Sequence, residues 1–161
     1  MIYKSAIFLS FFLTISPFFC SLARAQATNS VQWLTFEQLE DSLITQPKKV
    51  FIDFYTEWCT YCRKMDKVVF TKPEVVELLN NEYYAVRFDA ETKEEITFGG
   101  TQLINDQVDK SRQPVHQIAQ LLALSQGQFA PPTMVILDEE FNVTARYFEY
   151  MDSKKIMRAL E

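Results

Sequence analysis

The chain has 161 residues, 48% of them hydrophobic and 23% charged, which predicts a single globular domain with a packed apolar core. Its 21 Asp and Glu residues outnumber 16 Lys and Arg, so that the formal net charge is −5. This acidic balance, without a basic patch, argues against nucleic acids and anionic membrane surfaces as partners.

Residues 1–25 have the pattern of a secretory signal peptide. Lys4 supplies a positive charge, an uncharged run rich in Phe, Leu and Ile extends from Ala6 to Cys20, and small residues precede a cleavage point before Gln26. A membrane anchor is the alternative, but the apolar run is shorter than the roughly 20 residues that a spanning helix needs. A lipid anchor on Cys20 is a weaker alternative, because bulky side chains precede it.

Cleavage would leave a mature domain of residues 26–161, exported across the inner membrane to what we expect to be a bacterial periplasm. It would remove two basic residues and no acidic ones, which brings the net charge near −7. It would also remove Cys20, and the two remaining cysteines lie only three positions apart. A disulfide between them closes too small a loop to stabilise a fold by cross-linking, so a reactive role is favoured over a structural one.

The first elements of the predicted domain are a helix and a buried strand. Thr35 and Gln38 fit a capping box, which predicts a helix that ends before Pro47. The run from Val50 to Tyr55 is apolar on both faces, the pattern of a central strand. Asp53 is the discordant residue of this strand, because a carboxylate is costly to bury unless it has a partner or a task.

Trp58-Cys59-Thr60-Tyr61-Cys62 follows the strand, at the start of a predicted helix that extends to about Phe70. Residues i and i+3 are neighbours on a helical turn, so the two sulfurs can close a disulfide with little movement. Cys59 would lie at the helix N-terminus, where unpaired N–H groups and the helix dipole favour a thiolate. Cys59 is therefore the candidate nucleophile and Cys62 the resolving cysteine, provided that a partner can reach the sulfurs.

A metal site is one alternative interpretation of the cysteine pair, and inert core thiols are another. Structural zinc takes about four ligands. Beyond its two cysteines the mature chain offers one histidine, His116, far along the sequence. We expect His116 on the surface of a helix.

The remaining pattern alternates helices and strands. Thr71 is expected to cap a helix that has Pro73 in its first turn. Gly99-Gly100 predicts a short hairpin within residues 91–113, a stretch with little other pattern. The other predicted elements are a strand over Tyr84–Asp89, a helix over Val115–Leu124, a hairpin over residues 133–148, and a final helix from Asp152 or Ser153 to Leu160. Strands that alternate with helices and end in a hairpin indicate a mixed α/β sheet.

The segment from Asp53 to Lys64 resembles the active-site segment of thioredoxins, and Pro131-Pro132-Thr133 before a strand resembles the cis-proline step of that family. The run from Lys64 to Leu79 is similar to the C-terminal thioredoxin-like domain of bacterial thiol:disulfide interchange proteins. The resemblance implies an α/β thioredoxin fold, a central mixed β-sheet flanked by helices on both faces. Residues 91–113 then look like a short hairpin insertion.

The resemblance implies catalytic roles for Cys59, Cys62 and Asp53. Asp53 matches the buried acid that moves protons to and from the resolving sulfur, and a desolvated carboxyl can exchange protons near neutral pH. Trp58 matches the tryptophan beside the nucleophile and Pro132 the cis-proline, so both are expected to bind substrate. Arg87 on the next strand is a candidate to neutralise Asp53. No metal and no other cofactor is implied.

The expected function is exchange between the Cys59–Cys62 dithiol or disulfide and protein thiols or disulfides, in the reductive or isomerising direction. Electrons would come from a membrane donor, because the chain has no nucleotide-binding motif. A thioredoxin-like protein-binding module without turnover is the main alternative, and a metal chaperone is a second. Thr60-Tyr61 replaces the Gly-Pro typical of thioredoxins, so the redox potential does not transfer.

Overall fold

A computed structural model describes residues 29–161. The predicted signal peptide and Cys20 lie outside the described residues. Within residues 29–161, no helix has the length and apolar character needed to cross a membrane.

A mixed sheet of five strands forms the centre of the domain. The two parallel neighbours of β3 (Tyr83–Asp89) are β1 (Trp33–Leu34) and β2 (Lys49–Tyr55). On the other side of β2, β8 (Thr133–Leu137) and β9 (Val143–Tyr147) continue the sheet in antiparallel pairing. The order β1-β3-β2-β8-β9 confirms the predicted central mixed sheet.

Helices cover both faces of this sheet. Side chains of β2 alternate, so that Ile52 and Phe54 face one apolar cluster while Phe51 faces the other. The first cluster includes residues of α1 (Phe36–Thr45) and α4 (Gln117–Leu122). The second includes residues of α2 (Thr60–Val68), α3 (Pro73–Glu82) and α5 (Ser153–Leu160). By this alternation Asp53 lies on the same face of β2 as Phe51, the face that α2 covers.

Two of the predicted helix starts are confirmed and one is wrong. Thr35 and Gln38 form the reciprocal capping box of α1, and Asp152 caps α5 through the backbone N–H of Lys155. Thr71 does not cap α3, whose N-cap is Lys72 without a side-chain cap. The Thr71 hydroxyl instead donates to the carbonyl oxygen of Lys67 at the end of α2. The same hydroxyl therefore completes the preceding helix.

The hairpin predicted around Gly99-Gly100 is confirmed as β4 (Ile96–Phe98) and β5 (Thr101–Leu103). Both turn glycines have positive φ, +59° and +68°, which a two-residue hairpin turn of this kind requires. A second hairpin, β6 (Leu124–Ser125) and β7 (Gln128–Phe129), was not predicted. It begins where the expected helix over Val115–Leu124 was to end, so α4 is shorter than its pattern suggested.

His116 is buried, and its predicted place on a helix surface is wrong. It is the N-cap of α4, and its Nδ1 accepts a hydrogen bond from the backbone N–H of Ile118. Its Nε2 lies 3.2 Å from the carbonyl oxygen of Glu94, and its ring packs edge-on against Phe88. Burial lowers the pKa of His116, which keeps the ring neutral and Nδ1 able to accept. His116 therefore joins α4 to the segment that precedes β4.

Candidate active site

The cysteine pair lies at the turn between β2, which ends at Tyr55, and α2, which begins at Thr60. Cys59 is the N-cap residue of α2 and Cys62 lies in its first turn. Their sulfurs form a disulfide with an S–S distance of 2.13 Å and Cα atoms 5.3 Å apart. The backbone N–H of Cys62 donates to Sγ of Cys59 at 3.0 Å. The start of α2 thus offers the Cys59 sulfur a hydrogen-bond donor and the positive end of the helix dipole.

Both cysteines are nearly covered in this disulfide form. Cys59 exposes 4% of its surface and Cys62 exposes 2%. Redox chemistry requires access to the sulfurs, and this burial weighs against it. Of the two cysteines, Cys59 is the more exposed.

Asp53 is buried beneath this turn, with 2% of its surface exposed. The expectation of a buried acid, as opposed to a carboxylate facing water at a strand edge, agrees with this position. Loss of hydration on burial raises the pKa of Asp53 from 3.8 to about 7, although the nearby Arg87 guanidinium acts in the opposite direction. Near neutral pH the carboxyl therefore exists in both protonated and ionised forms.

Arg87 lies directly opposite Asp53 in the register of β2 and β3. Its Nε is 3.6 Å from Oδ2 of Asp53, an ion pair without a hydrogen bond. Its NH2 group donates instead to Oδ2 of Asp66 on α2 at 2.6 Å, and its guanidinium lies 4.3 Å from the centre of the Tyr55 ring. The arginine is thus shared between two carboxylates, which limits its stabilisation of the Asp53 charge.

The peptide bond between Pro131 and Pro132 is cis, as the resemblance implies for this step. Thr133 is the first residue of β8 and pairs with Phe54, which lies one residue before the end of β2. Since β2 and β8 are antiparallel, the start of β8 and the end of β2 meet at the same edge of the sheet. Pro132 therefore lies at the edge from which the chain continues to Cys59.

Trp58 is 51% exposed, so it is a surface residue and not part of the core. Its indole N–H donates to both carboxylate oxygens of Glu91 at 3.0 Å. Trp58, Glu91 and Pro131 line a cavity of about 510 Å³ together with residues of the insertion, of α4 and of the hairpin of β6 and β7. Of the predicted site residues, Trp58 therefore lines this groove, and so does Pro131, the residue before Pro132.

Three residues near the site were not singled out from the sequence: Asp66, Glu91 and Arg112. Asp66 lies four residues after Cys62, and this helical spacing could have placed it beside the cysteines. Glu91 and Arg112 reach the groove only through the path of the insertion, which no local pattern gives. Within residues 29–161 no group of three or more His, Cys, Asp or Glu side chains has the arrangement of a metal site.

The sequence of the chain is similar to known thiol-disulfide proteins over part of its length. Thiol:disulfide interchange protein DsbD of Haemophilus ducreyi is 32% identical over 84 residues, which are 45% of this chain and 14% of that protein. Thioredoxin Y1, chloroplastic, of Arabidopsis thaliana is 35% identical over 57 residues, 35% of this chain and 31% of that protein. The chain thus spans less than a third of the length of these relatives.

The fold is that of solved thioredoxin-like structures. A thioredoxin from Thermus thermophilus superposes with a TM-score of 0.57 at 19% identity, covering 81% of this chain and 85% of that one. A DsbH oxidoreductase gives 0.56 at 17% identity, covering 88% and 89%. The family model described as thioredoxin-like domain matches residues 36–161, nearly the whole described domain. This protein therefore belongs to the thioredoxin-like domain family.

Proposed function

We propose that this protein is an exported thiol–disulfide oxidoreductase that exchanges its Cys59–Cys62 pair with protein substrates, in the reductive or isomerising direction. The observation that carries the proposal is the position of Cys59 at the start of α2, with its sulfur accepting a hydrogen bond from the Cys62 backbone. Negative charge is favoured at a helix N-terminus, so this sulfur is the one suited to react as a thiolate.

The reaction proceeds in two exchange steps. In the reduced protein the Cys59 thiolate attacks a substrate disulfide, one substrate sulfur leaves as a thiolate, and a mixed disulfide forms. The Cys62 thiol then loses its proton and attacks the Cys59 sulfur, which releases the second substrate sulfur and closes the ring. Two electrons pass from the protein to the substrate, and a membrane-bound dithiol donor is proposed to restore the reduced form.

Asp53 is proposed to exchange the proton of Cys62. Its raised pKa of about 7 makes it able to accept and return a proton near neutral pH. Trp58 and Pro132 are proposed to bind the substrate beside Cys59, since both lie at the sheet edge where the cysteines are placed. The name of the relative Thiol:disulfide interchange protein DsbD supports the same exchange chemistry. A periplasmic location and a membrane partner are part of the same proposal.

Reduction of insulin by dithiothreitol, followed as turbidity, tests the proposal. Wild-type protein should accelerate the reaction, and Cys59→Ser should return it to the rate without protein. A protein-binding module without turnover would leave wild type and Cys59→Ser equal. The native disulfide must also be reduced by dithiothreitol without unfolding, and resistance to reduction would refute the proposal, since both cysteines are nearly covered.

A trapping experiment identifies the substrates and the direction. Cys62→Ala should hold partners as mixed disulfides because the resolving attack is missing. The double variant Cys59→Ala/Cys62→Ala is the matched control and should hold none. Metal analysis of the reduced wild-type protein tests the metal-chaperone alternative, which requires bound metal at the two thiolates.

A further inference from the structure

The groove beside Trp58 has a wall that belongs to the insertion within residues 91–113. The backbone carbonyl oxygen of Gln107 accepts hydrogen bonds from the N–H groups of Lys110 and Ser111, at 2.9 and 3.1 Å. Its side-chain Oε1 accepts from the N–H of Val115 at 3.1 Å. Asn105 adds two bonds from its amide group, to the carbonyl oxygens of Thr92 and Pro114. This wall is therefore held in place before any ligand binds.

Uncharged polar side chains, four of them glutamines, line part of the groove beside apolar ones. Gln113 and Gln128 contribute amide groups, and Phe129 contributes an apolar surface. The amide nitrogen of Gln120 already donates to Asp106 and to the carbonyl oxygen of Val115. Amide groups of this kind match an extended polypeptide, which carries its own N–H and C=O groups, better than they match an apolar helix.

Among the described residues, the formal charges that line the groove are those of Glu91 and Arg112. Both carboxylate oxygens of Glu91 accept the Trp58 indole N–H, which holds the carboxylate beside Trp58 and leaves its negative charge in place. Arg112 is exposed and has no ion pair or hydrogen bond to its side chain among residues 29–161. A ligand carboxylate can therefore pair with Arg112, whereas Glu91, the acid of the same lining, is bonded to Trp58.

We infer that the groove binds a segment of the protein substrate that flanks its reacting cysteine, and that Arg112 selects segments with an acidic side chain at the matching position. The inference rests on the proposed exchange function, because the groove is continuous with Trp58 and with Pro131 of the cis-proline step. A segment whose cysteine lies at Cys59 passes directly into the groove, and a Glu or Asp along it pairs with Arg112.

The test uses peptides with one cysteine, blocked as a mixed disulfide with thionitrobenzoate, whose release is followed by absorbance. Each peptide carries Glu, Gln or Lys at successive positions on either side of the cysteine. The reduced protein attacks the peptide sulfur, thionitrobenzoate leaves, and Cys62 then frees the peptide thiol. At the matching position, we expect the Glu peptide to react about two- to fivefold faster than the Lys peptide, the size of an exposed ion pair. The preference should weaken as salt is added.

Arg112→Glu should reverse the preference, and Arg112→Gln should abolish it. Lys154→Glu is the matched control, since it makes the same charge change on α5, which packs on the opposite face of the sheet from the groove. Equal rates for Glu and Lys peptides at every position would overturn the inference, and so would equal effects of the two charge reversals. The Gln peptides report on the chemistry alone. If none of the peptides reacts, exchange itself fails and the inference falls with it; if all react alike, exchange stands and only the role of Arg112 fails.

Discussion

Replacement of Asp53 by Asn removes a buried charge and keeps the shape of the side chain, so we expect it to stabilise the folded protein above neutral pH. Asp53 exposes 2% of its surface, and its Oδ1 has no hydrogen-bond partner among the described residues. An ionised carboxylate in this position is poorly compensated, because the Arg87 guanidinium is 3.6 Å away and bonded to Asp66.

The size of this stabilisation follows from the pKa of Asp53 in the folded and the unfolded protein. Burial raises it to about 7 in the folded protein, whereas an unfolded Asp titrates at about 3.9. Between about pH 3.9 and about pH 7, Asp53 is ionised in the unfolded chain and still protonated in the folded protein. The free energy of unfolding therefore falls as the pH rises through this range, and the fall is complete above the folded pKa. A difference of about three units, at roughly 1.4 kcal/mol each, gives an upper bound of about 4 kcal/mol.

Urea unfolding of the oxidised wild type and of Asp53→Asn, near pH 5 and near pH 9, measures this effect. We expect Asp53→Asn to gain about 2 to 4 kcal/mol at the basic pH and roughly a third of that gain near pH 5, because the unfolded carboxyl is already ionised above about 3.9. Glu57→Gln is the control, because Glu57 is an exposed carboxyl in the same turn. The reasoning is refuted if Asp53→Asn changes stability equally at both pH values, or if it destabilises the protein at the basic one.

Two further substitutions test the surroundings of the site. Arg87→Gln removes the cation that favours the Asp53 charge, so the pH range of the stability loss should extend upward. A range that moves down or stays in place would show that Arg87 does not act on Asp53. Asn105→Ala removes the two hydrogen bonds from the buried Asn105 amide to the carbonyl oxygens of Thr92 and Pro114. We expect a loss of about 1 to 3 kcal/mol in the free energy of unfolding, and amide hydrogen exchange that rises more in residues 105–115 than in β2. Exchange that rises equally in β2 would mean that Asn105 supports the whole fold and not the wall of the groove in particular.

Local sequence determined the elements that carry the reactive pair. The apolar run of β2, the Cys59–Cys62 spacing and the helix that follows act within a few residues of one another, so their arrangement could be read directly. The capping box at Thr35 and the Gly99-Gly100 turn were predictable from the local sequence for the same reason. In each case, one short segment contains both the donor and the acceptor, or the turn and its required backbone conformation.

Tertiary structure decided the features that join distant segments. Thr71 could bond either to the helix before it or to the helix after it, and only the packing of α2 and α3 fixed its hydroxyl on Lys67. His116 has an unremarkable position in the sequence, yet it is buried because the chain around Glu94 returns to cover it.

The environment of Asp53 and the groove near Arg112 depend on the same kind of long-range contact. Arg87 was a candidate partner of Asp53 from its strand, but its stronger bond to Asp66 required the orientation of α2 over the sheet. Arg112 reaches the groove because hydrogen bonds hold the insertion against α4, from the Ile104 N–H to Gln117 and from the Gln120 amide to Asp106. Local rules determine what a segment can form, whereas burial and charge pairing depend on which other segments lie against it.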